Sequence, residues 1–234
     1  MTRLPIGYAG WELRDMARGP GAIILAIAAL VGFILSRLPG APAADAGAML
    51  TRIADQAAFP LVLVVTAGMV SRDIGEGYYR AWFSRPVSPP LFYLQRFLVG
   101  GVIFLLFLPL LAIAVSVRTG NVSLPAWVVG RAALLYLLTG GTVFFLSTLV
   151  RRDWMIAALV VITESVLHQV QRSGAALGPV ASAVYEVLPP YHVTAIDAAP
   201  SGRELAVAAA YGVAIVAAAL AVLRRKPLGS GGRA

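Results

Sequence analysis

The sequence SRDIGEGYYRAWFSRPVSPP, from Ser71 to Pro90, is a polar segment with several arginines and prolines, and it lies between two strongly apolar stretches. Of the 234 residues in the chain, 59% are hydrophobic and 13% are charged. A soluble domain carries about a quarter of its residues as charges. The composition and the long uncharged runs therefore predict an integral membrane protein, in which this segment is a loop between two spans.

The formal net charge is +8, and the chain contains no cysteine. Its arginines lie between apolar runs rather than on one continuous basic face. We interpret them as signals of membrane orientation and expect no nucleic-acid partner. The lack of cysteine excludes disulfides, thiolate metal sites and cysteine nucleophiles.

The apolar runs predict an all-α, polytopic membrane protein with six transmembrane helices, since a span needs about 20 apolar residues. Residues 1–226 form a single transmembrane domain in this prediction, and the Gly/Ser-rich residues 227–234 form a flexible cytoplasmic tail. The predicted spans are approximately 21–38, 49–71, 94–117, 126–150, 154–172 and 204–223.

Orientation follows from the distribution of Lys and Arg. If the N-terminus lies inside, thirteen of the 19 basic residues fall in inner segments and six in outer segments. The positive-inside rule then places both termini in the cytoplasm. The loop from Ser71 to Pro90 is cytoplasmic in this arrangement, and the arginine-rich composition favours a bacterial plasma membrane.

The segment before the first span predicts a helix that lies in the plane of the membrane interface. Its charged residues flank a single tryptophan: the residues concerned are Trp11, Glu12, Arg14 and Asp15. The alternative is an ordinary juxtamembrane tail.

No motif for nucleotide hydrolysis or metal-dependent catalysis is present. The sequence lacks a G-x-x-x-x-G-K-[ST] phosphate loop, an H-E-x-x-H zinc helix and a G-x-S-x-G nucleophile turn. The only two histidines, His168 and His192, lack carboxylate or thiolate companions at metal-binding spacing, so we expect no metal site. We expect a non-catalytic protein that binds no cofactor.

The loop itself has the composition of a docking element. After the acidic residues Asp73 and Glu76, helix-compatible residues continue to Ser84 and predict a short amphipathic helix, which Pro86 ends. Rigid aromatic side chains and arginines are enriched at protein interfaces. The alternative is that the aromatic residues only anchor the loop at the lipid headgroups. The residues in question are Gly77, Tyr78, Tyr79, Arg80, Trp82, Phe83 and Arg85.

The stretch VSRDIGEGYYRAWFSRPVSPPLFYLQRF resembles the loop after the second span in permease subunits of type-2 ABC exporters. The match includes Ser71-Arg72, Gly77, Ser84, the Pro86-Val87-Ser88 triplet and the basic Arg96. Departures from the pattern are Asp73 where Glu is usual, Ile74-Gly75 where charges are common, Tyr78 where Thr is common, and Pro89-Pro90.

The resemblance implies a coupling helix in this loop that docks on an ATP-hydrolysing subunit. It also implies two copies of that ATPase, which would use ATP and Mg²⁺, and a second permease copy or a homologue in the lipid bilayer. Transport by alternating access would follow. The resemblance does not identify the substrate.

Ionisable residues within predicted spans are costly and often functional. Glu164 and His168 are four residues apart and share one face of the fifth helix, and Arg131 lies in the outer third of the fourth. They either line a transport path or form a structural Arg131–Glu164 pair. The same residues support two rival classes, a membrane-embedded enzyme and a proton-coupled secondary transporter.

Overall fold

The computed structural model describes residues 10, 13–16, 18–19, 21–24, 26–27, 29–30, 46–77, 88–119, 126–195 and 200–225. Within these ranges the chain is helical and contains no strand. Its helices are α1 (Ala46–Thr66), α2 (Ser71–Gly75), α3 (Pro89–Thr119), α4 (Ala126–Leu135), α5 (Gly141–Ser147), α6 (Asp153–Arg172), α7 (Pro179–Val187) and α8 (Gly202–Arg225). A π-helical turn, Tyr136–Gly140, joins α4 to α5, and a 3₁₀ turn, Tyr191–Thr194, lies between α7 and α8.

Five helical segments are long and apolar enough to cross a membrane: Thr51–Gly75, Pro89–Ala114, Ala126–Ser147, Asp153–Arg172 and Gly202–Arg225. They correspond to the second to sixth predicted spans. The third begins at Pro89 rather than near residue 94, because the two prolines that end the loop occupy the first helical positions, where no backbone N–H is needed. The first predicted span is helical at 21–24, 26–27 and 29–30, and the rest of it lies outside the described residues. Six spans remain a prediction.

The fourth span is the centre of the bundle and contacts α1, α3, α6 and α8. Tyr136, in its π turn, donates a hydrogen bond to the Phe97 carbonyl at 2.6 Å and lies against Gly100 and Gly101. A Cβ atom on Gly101 would approach the Tyr136 ring to 2.9 Å. The glycine pair therefore makes room for this ring.

The glycines Gly140 and Gly141 serve helix packing within the chain. A Cβ on Gly140 would lie 3.1 Å from Thr66 of α1, and one on Gly141 would lie 3.3 Å from Val216 of α8. Small residues allow membrane helices to approach closely in this way.

The connection between the fifth and sixth spans packs into the bundle, although the sequence predicts an outer loop. Tyr191 and Val193 are buried against Leu134, Leu138 and Ala208 of the membrane helices. The proline-rich residues before them allow the chain to turn inward, and the 3₁₀ turn satisfies several of its backbone groups. The 3₁₀ turn Tyr191–Thr194 thus packs between helices, whereas α7 before it has no buried residue.

Candidate functional site

Two polar clusters lie at opposite ends of the helices. The first surrounds the start of the loop that the sequence singles out, and we call it the loop anchor. It consists of Gly68, Met69, Ser71, Asp73, Tyr93, Arg96 and Asp153. The second surrounds Glu164, and we call it the histidine cluster. It consists of Thr142, Glu164, His168, Tyr185, Tyr191 and His192.

In the loop anchor, Asp153 joins the start of α6 to the turn between α1 and α2. Its Oδ2 atom accepts hydrogen bonds from the Gly68 N–H at 3.0 Å and from the Ser71 hydroxyl at 3.1 Å. Its Oδ1 atom accepts one from the Trp154 N–H at 2.8 Å. The side chain is 1% exposed, so the carboxylate is held by these donors instead of water. Gly68 has a φ of 69°, which favours glycine in this turn.

Asp73 joins the same segment to α3. Its carboxylate accepts a hydrogen bond from Arg96 Nη1 at 2.7 Å and a longer one from the Tyr93 hydroxyl at 3.4 Å. Arg96 also donates to the Met69 carbonyl at 3.2 Å. Asp73 is only 5% exposed, so its carboxylate is occupied inside the chain. The structure therefore gives it an anchoring role, in place of the direct docking contact that the sequence suggests.

The amphipathic helix predicted from Asp73 to Ser84 is described only at its start, and its continuation beyond Gly77 lies outside the described residues. Helix α2 ends at Gly75, and Gly77 has a φ of 75°, a left-handed conformation that ends helices. Glu76 is exposed and pairs with Arg72 at 2.9 Å, a surface ion pair that stabilises little. The remaining predicted docking residues lie outside the described part of the chain: Tyr78, Tyr79, Arg80, Trp82, Arg85 and Pro86.

The N-terminal residues that predict an interfacial helix are described in part. Arg14 and Asp15 are exposed within a helical turn, and Met16 beside them is buried in the main hydrophobic core together with Ile24. Trp11 and Glu12 lie outside the described residues. An amphipathic arrangement is present at this turn, and its position relative to a membrane stays a prediction.

In the histidine cluster, Glu164 contacts a residue that the sequence analysis does not assign to it. Its Oε1 atom lies 2.5 Å from His192 Nδ1 and accepts a hydrogen bond from the His192 backbone N–H at 3.3 Å. The Oε2 atom is buried and has no hydrogen-bond partner among the described residues. Glu164 is 1% exposed and lies eight residues before the end of α6, or about 12 Å along the helix axis.

The predicted Arg131–Glu164 pair does not form among the described residues. Instead, the guanidinium carbon of Arg131 lies 5.3 Å from the centre of the Trp127 ring, a cation–π contact. His192 is the partner of Glu164 instead of Arg131, because the 3₁₀ turn Tyr191–Thr194 brings the His192 side chain next to the middle of α6. No short-range pattern indicates a partner 28 residues away.

His168 and His192 do come together, as parallel rings with centres 4.1 Å apart and planes 8° apart. His168 Nδ1 lies 2.9 Å from the Tyr185 hydroxyl of α7. One carboxylate, two imidazoles and a phenol therefore meet in this cluster. Within the described residues, no group of three or more His, Cys, Asp or Glu side chains is placed to hold a metal ion.

The two tyrosines of the cluster remain protonated donors. Burial raises the pKa of Tyr191, and burial followed by the nearby charge of Glu164 raises the pKa of Tyr185. Tyr191 and Thr142 lie 2.7 Å apart through their hydroxyls. Thr142 also donates to the Leu138 carbonyl at 2.8 Å, so Tyr191 is the donor in the hydroxyl pair.

Beside the cluster lies an open groove of about 430 Å³, lined by Ser165, His168, Gln169, Arg172, Ser173, His192 and Ala195. The groove brings His168 and His192 to solvent at the end of α6, whereas Glu164 lies behind them in the interior. The sequence predicts Glu164 and His168 as neighbours, but it gives no sign of the groove.

Comparison with known proteins leaves the family open. No protein-family model matches the chain, and no curated protein or solved structure is significantly similar to it. The resemblance to type-2 ABC exporter permeases therefore depends on the loop residues and the span pattern.

Proposed function

We propose that this chain is the membrane-spanning permease subunit of an ATP-driven ABC transporter, and that it works as an exporter. The observation that supports the proposal most strongly is the loop anchor. The residues that open the resembling loop are fixed by buried polar contacts to α3 through Arg96 and to α6 through Asp153. A force applied to the loop would therefore act on several membrane helices together.

In this proposal the aromatic and arginine residues from Tyr78 to Pro86 dock on a separate ATPase subunit. Two copies of the ATPase bind ATP and Mg²⁺, and a second permease copy or a homologue completes the pathway. When the two ATPase copies bind ATP, they close against each other and push the loop. The loop anchor then transmits this movement to the helices. Both termini and the loop lie on the cytoplasmic side of a bacterial plasma membrane.

The test is purification of the tagged chain from its native host in a mild detergent, followed by mass spectrometry of the proteins that accompany it. Wild type is compared with the double variant Tyr79→Ala, Arg85→Ala. Arg203→Ala serves as the control, because Arg203 is exposed at the start of α8, away from the loop.

The proposal predicts that a phosphate-loop ATPase accompanies wild type and the control and is depleted at least fivefold from the double variant. If no nucleotide-binding protein accompanies any of the three, the chain is not such a subunit. Equal depletion from the control and the double variant would show that the loop is not the docking site.

A second candidate is a proton-coupled secondary transporter centred on Glu164. The observation in its favour is a buried carboxylate, one oxygen of which has no hydrogen-bond partner in the described part of the chain. It lies beside an imidazole that reaches an open groove. Buried carboxylates of this kind often carry protons through membrane proteins. A membrane-embedded enzyme at the same residues would require further polar groups at that depth.

Proteoliposomes that contain the chain alone separate this candidate from the first. A proton-coupled transporter changes the pH of the lumen without ATP when a substrate or pH gradient is imposed. Glu164→Gln abolishes this change in lumen pH. The ABC proposal predicts no proton movement above that of empty liposomes. Glu186→Gln, an exposed carboxylate on α7, is the control.

A further inference from the structure

The groove beside the histidine cluster is lined by a polar stripe on one helix and by a residue that faces it. Ser165, His168, Gln169 and Arg172 are spaced at i, i+3, i+4 and i+7 and therefore share one face of α6. His192, from the 3₁₀ turn, lies opposite them. A polar stripe on a membrane helix is costly in contact with lipid, so this face is suited to water or to a ligand.

The two imidazoles present the same edge to the groove. His192 uses Nδ1 toward Glu164, and His168 uses Nδ1 toward Tyr185. The contacts that the described residues make with these rings leave both Nε2 atoms available. Since Glu164 and Tyr185 hold the rings from behind, the orientation of both Nε2 edges is set before any ligand arrives.

The chemistry of these groups fits an anion better than a metal. The rings are stacked with planes only 8° apart, so the lone pairs of their Nε2 atoms do not converge on one point. Arg172 supplies a planar guanidinium, which binds carboxylates and phosphates through two parallel hydrogen bonds. Gln169 and Ser165 add neutral donors beside it.

We propose that this groove binds the anionic group, a phosphate or a carboxylate, of a ligand that approaches from the Arg172 end of α6. Arg172 and the Nε2–H of His168, whose Nδ1 accepts from the Tyr185 hydroxyl, contact the anion. His192 donates its Nδ1–H to Glu164, which positions the ring, and its Nε2 donates to the anion in the imidazolium form. The groove volume of about 430 Å³ lies within the range of small-molecule sites, so it accommodates more than the anionic group itself. The inference deepens the transport proposal by naming a ligand class, but the binding is tested on this chain alone.

The first arm of the test measures inorganic phosphate binding to the purified chain in nonionic detergent, by isothermal titration calorimetry at constant ionic strength. The second arm counts retained lipids by native mass spectrometry after purification from nanodiscs of phosphatidylcholine with and without phosphatidylglycerol. The variants are Arg172→Gln, Arg172→Lys and the control Arg203→Gln. Arg172 and Arg203 are both exposed, so each variant is expected to fold.

A soluble anionic ligand predicts a phosphate Kd that rises about tenfold or more in Arg172→Gln, less in Arg172→Lys and not at all in Arg203→Gln. A lipid headgroup predicts no phosphate binding, but retention of phosphatidylglycerol that Arg172→Gln alone abolishes. Either result supports the site, and which of the two is found shows whether the anion belongs to a soluble ligand or to a lipid headgroup. Absence of binding in both arms, or an equal loss in Arg203→Gln, would overturn it. Anion binding without any ATPase partner would leave the site intact and refute only the transport proposal.

Discussion

At the scale of single residues, the buried polar groups each have a specific reason to be inside the bundle. Asp153 accepts three hydrogen bonds, two of them from the turn that precedes the loop. Asp73 is paired with Arg96, and Glu164 with His192. A buried carboxylate is costly unless donors surround it, so these contacts determine which residues can occupy the positions.

Asp153→Asn is expected to destabilise the chain even though the two side chains have the same size. In asparagine an NH₂ group replaces one of the two acceptor oxygens. Either oxygen of Asp153 accepts from an N–H or a hydroxyl, so the NH₂ group would place one donor against another. We expect a loss of about 1–3 kcal/mol in the free energy of unfolding, measured by SDS titration in mixed micelles. The control Glu186→Gln changes an exposed carboxylate and should stay within about 0.5 kcal/mol of wild type. Equal stability of Asp153→Asn and wild type would contradict the anchoring role of this carboxylate.

Tyr191 and Thr142 allow a second comparison, because the two ends of their hydrogen bond are not equivalent. Tyr191→Phe removes the donor and leaves Thr142 its bond to the Leu138 carbonyl. Thr142→Val leaves the buried Tyr191 hydroxyl without that partner. We expect Thr142→Val to lower the unfolding free energy by about 1–3 kcal/mol and Tyr191→Phe by about 1 kcal/mol or less. The reverse order, in the same unfolding assay, would show that Tyr191 is not the donor.

At the scale of the helices, close approach at glycines determines how the spans pack. Gly100 and Gly101 of α3 make room for Tyr136, and Gly212 of α8 lies against Leu137, where a Cβ would approach the Leu137 Cγ atom to 2.6 Å. The π turn Tyr136–Gly140 lies between these contacts. A π turn shifts the following residues around the helix, so the side chains before and after it face different neighbours.

Two glycine-to-alanine variants test this packing. Gly101→Ala places a methyl group 2.9 Å from the rigid Tyr136 ring, and we expect a loss of about 1–3 kcal/mol in unfolding free energy. Gly130→Ala lies on the exposed face of α4, where the added methyl would contact no other described element. It should be neutral or stabilise by up to about 1 kcal/mol. Thermal unfolding in detergent measures both. A neutral Gly101→Ala would show that the ring moves away freely.

The loop anchor yields a prediction about coupling rather than docking. Arg96→Gln removes the cation from the buried Asp73 and loosens the loop from α3 while leaving the aromatic docking residues unchanged. In proteoliposomes with the ATPase partner, we expect the partner to bind normally and transport per ATP hydrolysed to fall at least fivefold. Arg151→Gln, an exposed arginine at the same end, is the control. Loss of the partner from Arg96→Gln would assign the anchor to docking instead.

Five of the predicted spans coincide with helices that are long and apolar enough to cross a membrane, because each is a long apolar run whose limits are set by prolines, glycines and charges. The sequence does not predict that Tyr191 and Val193 pack into the bundle, because the mixed composition of residues 179–194 is compatible with an outer loop. The partner of Glu164 is missed for the same reason. A hydrogen bond between residues 28 apart depends on how the whole segment folds back, and nothing in the neighbourhood of Glu164 indicates His192.

At the scale of the whole molecule, the two polar clusters lie at opposite ends of the bundle. The loop anchor lies at the end that carries Arg72, Arg151, Arg152, Arg224 and Arg225, and the groove lies at the other end. The orientation that we propose from the positive-inside rule places the loop anchor in the cytoplasm and the groove on the opposite side. A partner protein on the cytoplasmic side and a ligand on the opposite side of the membrane would then act on the same set of helices.

This orientation is directly testable, because the chain has no cysteine of its own. Arg151→Cys and Ser201→Cys place single thiols at exposed positions of opposite ends. The reagent is a membrane-impermeant maleimide, added to intact cells whose outer membrane, where there is one, has been made permeable. It should label Ser201→Cys in intact cells and Arg151→Cys only after the cells are lysed. Labelling of Arg151→Cys in intact cells would invert the topology and place the loop outside.

The central claim is that the loop contacts an ATPase, and site-specific photo-crosslinking in the native host tests it most directly. A photoreactive amino acid replaces Tyr79 in the loop or, as a control, Trp127, which is 51% exposed at the other end of the bundle. The account predicts a cross-link from position 79 to a protein with a phosphate loop, and none from position 127. If position 79 captures only lipid, or captures proteins without a nucleotide-binding site, the loop is a membrane anchor and the chain is not the permease proposed here.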